Sequence, residues 1–280
     1  MKVAVTGASG FLGRYVLREL ARHRDVEVTA MTRRPLPAGY AAREVAINLE
    51  GPPEDCYAQL GRPDVLIHLA WAGLPNYRSA THFEHQLGQQ YGFLKSLIEA
   101  GLPSLLCTGT CFEYGMRAGE LVETMRSDPQ NPYGYAKDAL RRQLEFLRIG
   151  RPFQLTWTRL FYMFGDGQPA TSLYSLLMAA GRRGDSTFPM SLGEQLRDYL
   201  PVTDIARNIV LLALYAPGSE IVNICSGKPI AVRRLVEGWL AEQQWNMKLE
   251  LGRYPYPDYE PLAFWGSARK LAALLGPHGS

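Results

Sequence analysis

The chain is expected to fold as an α/β protein, a doubly wound parallel sheet with a smaller C-terminal substrate lobe. Three observations predict this. Short apolar runs alternate with amphipathic stretches through the first half, as strands joined by crossover helices do. The first run passes directly into the glycine-rich Thr6-Gly7-Ala8-Ser9-Gly10-Phe11-Leu12-Gly13. Beyond Gly165 the alternation gives way to interspersed Gly, Pro and aromatic residues, which marks a second, less regular unit.

The runs at residues 2–5, 26–31, 44–47, 65–70, 104–108 and 153–160 read as strands. Leu12, Val16, Leu17 and Leu20 share one helical face, and Phe93, Leu94, Leu97 and Ile98 share another. A helix at 202–215 and a strand at 220–224 return to the sheet. A helix at 232–243 and the Tyr/Pro-rich 254–259 fall in the smaller lobe. The expected division is a nucleotide-binding unit of residues 1–165, completed by 201–227, and a substrate lobe of 166–200 and 228–280.

Composition narrows the function classes. A chain of 280 residues, 46% hydrophobic and 20% charged, is an ordinary globular protein with ample core. Its net charge of +3 is too small to argue for a nucleic-acid partner. No segment approaches the ~20 apolar residues of a membrane span, and no charged leader precedes the first strand. Cys56, Cys107, Cys111 and Cys225 form no Cys-x-x-Cys pair, so buried thiols in a reducing, cytoplasmic compartment are expected. His68, His82 and His85 form no organised ligand set, so no metal is expected.

Glycines at 7, 10 and 13 allow a tight turn, a close backbone approach to a pyrophosphate, and close packing of helix on strand. Strand before and amphipathic helix after are the context a dinucleotide site requires. The helix N-terminus then offers N–H groups and a positive dipole end. An acid about 20 residues on would hold an NAD ribose. The chain instead has Met31-Thr32-Arg33-Arg34, so the extra phosphate of NADP(H) is preferred, with NAD(H) possible. Tyr133 and Lys137, spaced i and i+4, rise from one helix face. An ammonium beside a phenol is expected to lower a pKa ordinarily about 10, making the tyrosine usable as an acid or base.

With these motifs in hand, the chain resembles the extended short-chain dehydrogenase/reductase family over nearly its whole length, which implies a Rossmann-like domain. Gly7, Gly10 and Gly13 match its nucleotide loop, and Asp64-Val65-Leu66-Ile67-His68-Leu69-Ala70 is similar to its fourth strand. Asn48-Leu49 stands where the family has an adenine-contacting Asp, and Gln86 stands where it has an Asn. Thr110 occupies the hydroxyl position of the fifth strand end, and Pro132-Tyr133 through Lys137 matches the catalytic helix. Arg159 through Gly165 resembles the segment beside the nicotinamide, and Gly193 through Tyr199 resembles the Arg-Asp signature of the substrate lobe.

The resemblance implies roles. Tyr133 donates a proton to a carbonyl oxygen as hydride arrives, Lys137 tunes it and holds the nicotinamide ribose, and Thr110 orients the same oxygen. Gly7, Ser9, Gly10, Phe11, Leu12, Gly13, Thr32, Arg33, Arg34, Asn48 and Leu49 are expected at the cofactor. Leu69, Ala70, Trp71, Phe161 and Met163 join them there, beside Tyr133 and Lys137. Trp71, Thr110, Cys111, Phe112 and Tyr162 are expected at the substrate, with Arg197 and Arg253 as diphosphate contacts.

The family's sugar dehydratases place an Asp-Glu pair after the strand-end hydroxyl. This chain has Cys111-Phe112 there, with Glu113 displaced by one, so loss of water is disfavoured. Segments 71–77 and 109–115 are similar to those of nucleotide-sugar 4-ketoreductases, which implies NADPH-dependent reduction of a dTDP- or CDP-linked 4-keto-6-deoxyhexose. Epimerisation through tightly bound NAD, reduction of small non-nucleotide carbonyls, and a non-catalytic NADP-binding redox sensor remain alternatives. Family likeness also implies a homodimer through helices near 81–100 and 132–149, with Leu87, Tyr91, Leu94, Leu140, Leu144 and Leu147 in the seam.

Overall fold

A computed structural model describes residues 1–33 and 35–276. Strands β1 (Lys2–Thr6), β2 (Glu27–Met31), β3 (Arg43–Val45), β4 (Val65–His68), β5 (Ser104–Thr110), β6 (Gln154–Leu160) and β7 (Glu220–Ile224) form one parallel sheet. Their order is β7-β6-β5-β4-β1-β2-β3. The chain winds outward from β1 through β2 and β3, then restarts at β4 on the other side. The C-terminal ends of β1 and β4 therefore flank the switch point, where ligands bind in open α/β sheets.

Helices cover both faces of the sheet, so the central strands are apolar on both sides. Alternate residues of β1 face opposite ways. Val3 and Val5 pack with Val16, Leu17, Ile205 and Ile209 of α1 (Phe11–Leu20) and α6 (Val202–Tyr215), whereas Ala4 packs with the other layer. That layer holds Cys56 of α2 (Cys56–Gln59) and Phe93, Leu94, Leu97, Leu140 and Leu144 of α3 (Leu87–Glu99) and α4 (Pro132–Gly150). Leu94, Leu140 and Leu144, assigned above to a dimer seam, are completely buried in this core. The sheet claims them because their helix faces point inward. The exposed apolar side chains on the outer side are Phe83, Tyr135, Phe146 and Ile149.

A third core cluster stands apart from the sheet. Leu177, Met178, Phe188, Val236, Trp239 and Met247 join α5 (Leu173–Arg183) to α7 (Val232–Glu242) and the strand pair Thr187–Pro189 and Lys248–Glu250. Short pairs join 162–164 to 199–201 and 119–121 to 264–266, tying this region to the sheet's C-terminal edge.

α6 and β7 run over the residues expected from sequence. β4 stops at His68, before the expected 70, because Leu69 N and Ala70 N turn to donate to Thr6 Oγ1 at 3.2 and 3.3 Å. β5 continues to Thr110 because Gly109 and Thr110 pair with Arg159 and Leu160 of β6. All four cysteines are buried and free. Among the described residues no helix is long and apolar enough to cross a membrane.

Gly7 needs its glycine for a φ of +67°, and Gly13 for space. A Cβ on Gly13 would lie 2.2 Å from the Gly7 carbonyl oxygen, in backbone that cannot yield. Gly13→Ala is therefore expected to push α1 off the loop and cost about 2 kcal/mol or more. Thermal unfolding checks this, with cofactor affinity falling in parallel.

Candidate active site

Two cavities meet at the switch point, with Leu69 and Trp71 lining both. The first, about 260 Å³, runs over the glycine loop. Gly7, Ser9 and Gly10 form one wall, Thr32 and Arg33 follow from the end of β2, and Asn48 and Leu49 form the far rim. Ala70 and Trp71 follow on the β4 side. Gly13 lies beneath, against the loop, and does not line the cavity. Arg34 lies outside the described residues.

The second cavity, about 510 Å³, lies over the ends of β5 and β6. Phe11 and Leu12 border it at the start of α1, and Thr110, Tyr133 and Lys137 stand on its floor. Cys111, Phe112, Phe161, Tyr162 and Met163 continue the lining. The structure thus brings all three expected catalytic residues together, in a crevice continuous with the glycine loop. A positive helix end, a glycine loop with Cβ-free approach and a basic side chain after β2 suit a dinucleotide, so this chain's residues fit the cofactor its motifs imply.

Local structure fixes each of these side chains. Asn131 caps α4 by accepting from Gly134 N at 2.8 Å, and Pro132 starts the helix where its missing N–H costs nothing. Tyr133 N donates to Tyr77 O at 3.1 Å, joining the helix to the loop after β4. The turn after β5 is a capping box in which Thr110 Oγ1 accepts from Phe112 N and Glu113 accepts from Thr110 N at 2.9 Å. This acceptor role keeps the Thr110 hydroxyl proton for donation. Glu113 points away from the cavity, completely buried, where it also accepts from Trp157 Nε1 and Arg159 Nε at 2.9 and 2.7 Å. It supports the strand end and is not placed for acid–base work on a sugar.

The electrostatics correct one expectation. Lys137 was expected to lower the Tyr133 pKa, yet burial raises it well above 10, with Tyr77, Glu113, Cys111 and Cys107 adding to the rise. The Lys137 Nζ instead donates to Thr108 O at 2.8 Å, and it lies 6.0 Å from the Tyr133 ring centre. Enclosure among aromatic rings outweighs a cation at that range. Burial lowers Lys137 itself to about 8. Tyr133 is accordingly held as the neutral phenol, the form that gives a proton away.

Arg197 and Arg253 are not brought to either cavity. Arg197 is 2% exposed, with Nη2 on Glu260 Oε1 at 2.8 Å and Nη1 on the carbonyls of Leu196 and Leu262. Tyr162 Oη donates to the same Glu260. Arg253 is exposed, 3.5 Å from Glu250. The structure adds residues that sequence reasoning did not place in the site. Tyr77 packs 5.6 Å from Tyr133 and 4.9 Å from Phe112, and Gln168 and Ser172 close the outer side of the second cavity. Tyr259 reaches Tyr77 and Phe112 from the C-terminal segment, which Asp258 ties to Arg78. Tyr77 lay within a segment already singled out and Tyr259 within the Tyr/Pro-rich stretch at 254–259, whereas nothing local marked Gln168 or Ser172.

A glycine loop at a switch point, joined to a Thr-Tyr-Lys set on a buried floor, defines an enzyme of the NAD(P)-dependent oxidoreductase type. Residues 3–225 match the NAD dependent epimerase/dehydratase family, and the chain belongs to that family. It is similar to the dTDP-6-deoxy-L-talose 4-dehydrogenase (NAD(+)) of Aggregatibacter actinomycetemcomitans, 29% identical over 271 residues covering 95% of this chain and 100% of that one. A dTDP-6-deoxy-L-talose 4-dehydrogenase (NAD(P)(+)) of Kitasatospora kifunensis is also 29% identical, covering 92% of this chain and 83% of its own length. Among solved structures, MoeE5 in complex with UDP-glucuronic acid and NAD superposes with a TM-score of 0.83 at 28% identity, over 99% of this chain and 93% of that one.

Proposed function

We propose that this protein is an NADPH-dependent reductase of a nucleotide-linked 4-keto-6-deoxyhexose. The observation that carries the reading is the neutral, buried Tyr133 beside Thr110 and Lys137 on the floor of the second cavity, which meets the glycine-loop cavity at Leu69 and Trp71. The names of the dTDP-sugar 4-dehydrogenases support the substrate class, and Cys111-Phe112 after Thr110 supports reduction over loss of water.

The nicotinamide cofactor, when bound, supplies hydride. Thr110 and Tyr133 hydrogen-bond the ketone oxygen and hold the carbonyl carbon toward the junction. Tyr133 gives its proton to that oxygen as the alkoxide develops, and the ammonium of Lys137 supports the phenolate left behind. The aromatic walls formed by Trp71, Tyr77 and Phe112 exclude water and provide apolar surface for a deoxygenated sugar. Substrate diphosphate would reach Arg197 by taking the place of the Glu260 carboxylate, whereas Arg253 stands away from both cavities. The exposed Phe83, Tyr135, Phe146 and Ile149 are the surface on which a homodimer would form.

Arg33, exposed at the rim of the first cavity, favours the 2′-phosphate of NADP(H). Arg33→Ala is expected to raise KM for NADPH roughly tenfold while leaving that for NADH unchanged, as loss of one charge-assisted contact does. Steady-state kinetics with each cofactor check this.

One observation favours a second reading. Because Glu260 already holds Arg197, a small carbonyl compound without a diphosphate also fits the second cavity. The discriminating experiment follows NADPH oxidation with dTDP-, CDP-, GDP- and UDP-linked 4-keto-6-deoxyhexoses beside free ketones. Turnover with a nucleotide-linked ketone at micromolar concentration supports the leading reading. Turnover with free ketones alone replaces it with the second.

A further inference from the structure

Lys137 carries its ammonium into the interior, where it is 1% exposed. A buried charge is costly unless it is paired and hydrogen-bonded. Its hydrogen bond goes to a neutral acceptor, Thr108 O, and the carboxylate that acts on it, Glu113, is committed to Arg159 at 2.7 Å. The remaining support is aromatic. The Nζ lies 4.0 Å from the centre of the Trp71 indole, whose electron-rich face attracts a cation, most strongly away from water.

The indole is aimed from behind. Trp71 Nε1–H donates to His82 Nδ1 at 3.1 Å, and His82 Nε2 lies 2.8 Å from Asn76 O. An indole N–H only donates and a carbonyl only accepts, so Nδ1 must be the bare nitrogen and Nε2 must carry the proton. His82 is completely buried, stacked on the indole at 29° between ring planes. It opens a π-helix, His82–Gln86, whose last residue accepts from Ala72 N at 3.2 Å. Such π-turns are rare and frequently mark functional sites. This one grips the Trp71 side chain and the backbone that follows.

We propose that Trp71, aimed by His82, is a positioning residue of the reaction centre, whose indole face holds Lys137 as an ammonium ion beside Tyr133. The proposal rests on reading Lys137 as part of that centre. The groups facing the ammonium from the other elements cannot substitute for the indole. Cys107 of β5 is a thiol that burial pushes up to about 12, and His68 of β4 is neutral, lowered to about 3 by burial and by Lys137 itself. Glu113 is balanced by Arg159, and Tyr133 on the same helix is the neutral phenol.

The test titrates Lys137 directly by carbon NMR of protein labelled with [ε-13C]lysine, its resonance assigned from a Lys137→Met sample. Trp71→Leu is expected to lower the Lys137 midpoint by about one pH unit, and Trp71→Phe, which keeps a π face, by less than half of that. A midpoint in Trp71→Leu within about 0.2 of wild type, or a fall in Trp71→Phe as large as in Trp71→Leu, overturns the proposal. Thermal unfolding confirms that each variant is folded. Should Trp71→Leu not fold, His82→Phe unties the indole without removing it. A fall of about half a pH unit then supports the proposal, and an unchanged midpoint overturns it. No substrate enters the measurement, so failure of the substrate reading and failure of this one are separate results.

Discussion

Tyr133→Phe is expected to lower kcat by roughly a hundred- to ten-thousand-fold, the usual contribution of a positioned general acid. The variant removes one oxygen from a ring packed against Trp71, Tyr77 and His82, and it leaves every one of those aromatic contacts in place. Stability should therefore change little, and cofactor affinity, measured by direct titration, should stay within about threefold. The loss should appear in kcat and kcat/KM together, because the proton is given only as the carbonyl becomes an alkoxide. A variant retaining more than about a tenth of wild-type turnover would remove Tyr133 from the mechanism.

Lys137→Met is expected to abolish turnover and yet stabilise the fold. Burial lowers Lys137 from 10.5 to about 8, a penalty on the order of 3 kcal/mol when it is charged. The sign follows from proton counting. Between pH 8 and 10.5 the unfolded chain holds more protons at this site than the native one, so stability rises with pH across that window. Below pH 8 the penalty is present in full. At neutral pH the methionine variant should thus melt higher by on the order of 5 °C, partly offset by the unpaired Thr108 carbonyl. Between pH 8 and 10.5 it should also lack the wild-type gain in stability. Calorimetry of both proteins at pH 7 and pH 10 checks both statements. A cost of this kind fits a residue kept for chemistry.

The parts legible in the sequence were those set by local pattern. Gly7, Gly10 and Gly13 mark the loop because one turn needs all three, and the 3.6-residue period placed Tyr133 and Lys137 on one face. The alternation of apolar runs predicted the parallel sheet, and α6 and β7 could be bounded to the residue because a helical period gives way to a short apolar run. What was not legible is set by pairs distant in the chain. Glu260 meets Arg197 across 63 positions, and no spacing announces that a carboxylate will occupy the fork expected for a diphosphate. The role of His82 was not visible because a π-turn, which α-helical spacing cannot anticipate, carries it under Trp71. The direction of the Tyr133 shift failed for a related reason. Spacing shows that an ammonium is near, but burial on all sides belongs to the folded state.

In the proposed reaction Tyr133, Lys137 and Thr110 serve net delivery of hydride and proton to a ketone. Supplying NADPH deuterated at the transferred position of C4, with a nucleotide-linked 4-keto-6-deoxyhexose, tests it most directly. One deuterium at C4 of the product sugar is expected, with one NADPH oxidised per product formed. No NADPH consumed and no deuterium gained with the ketone, together with interconversion of the corresponding 4-hydroxy sugars without added cofactor, would contradict it and would assign the same site to epimerisation on a retained cofactor.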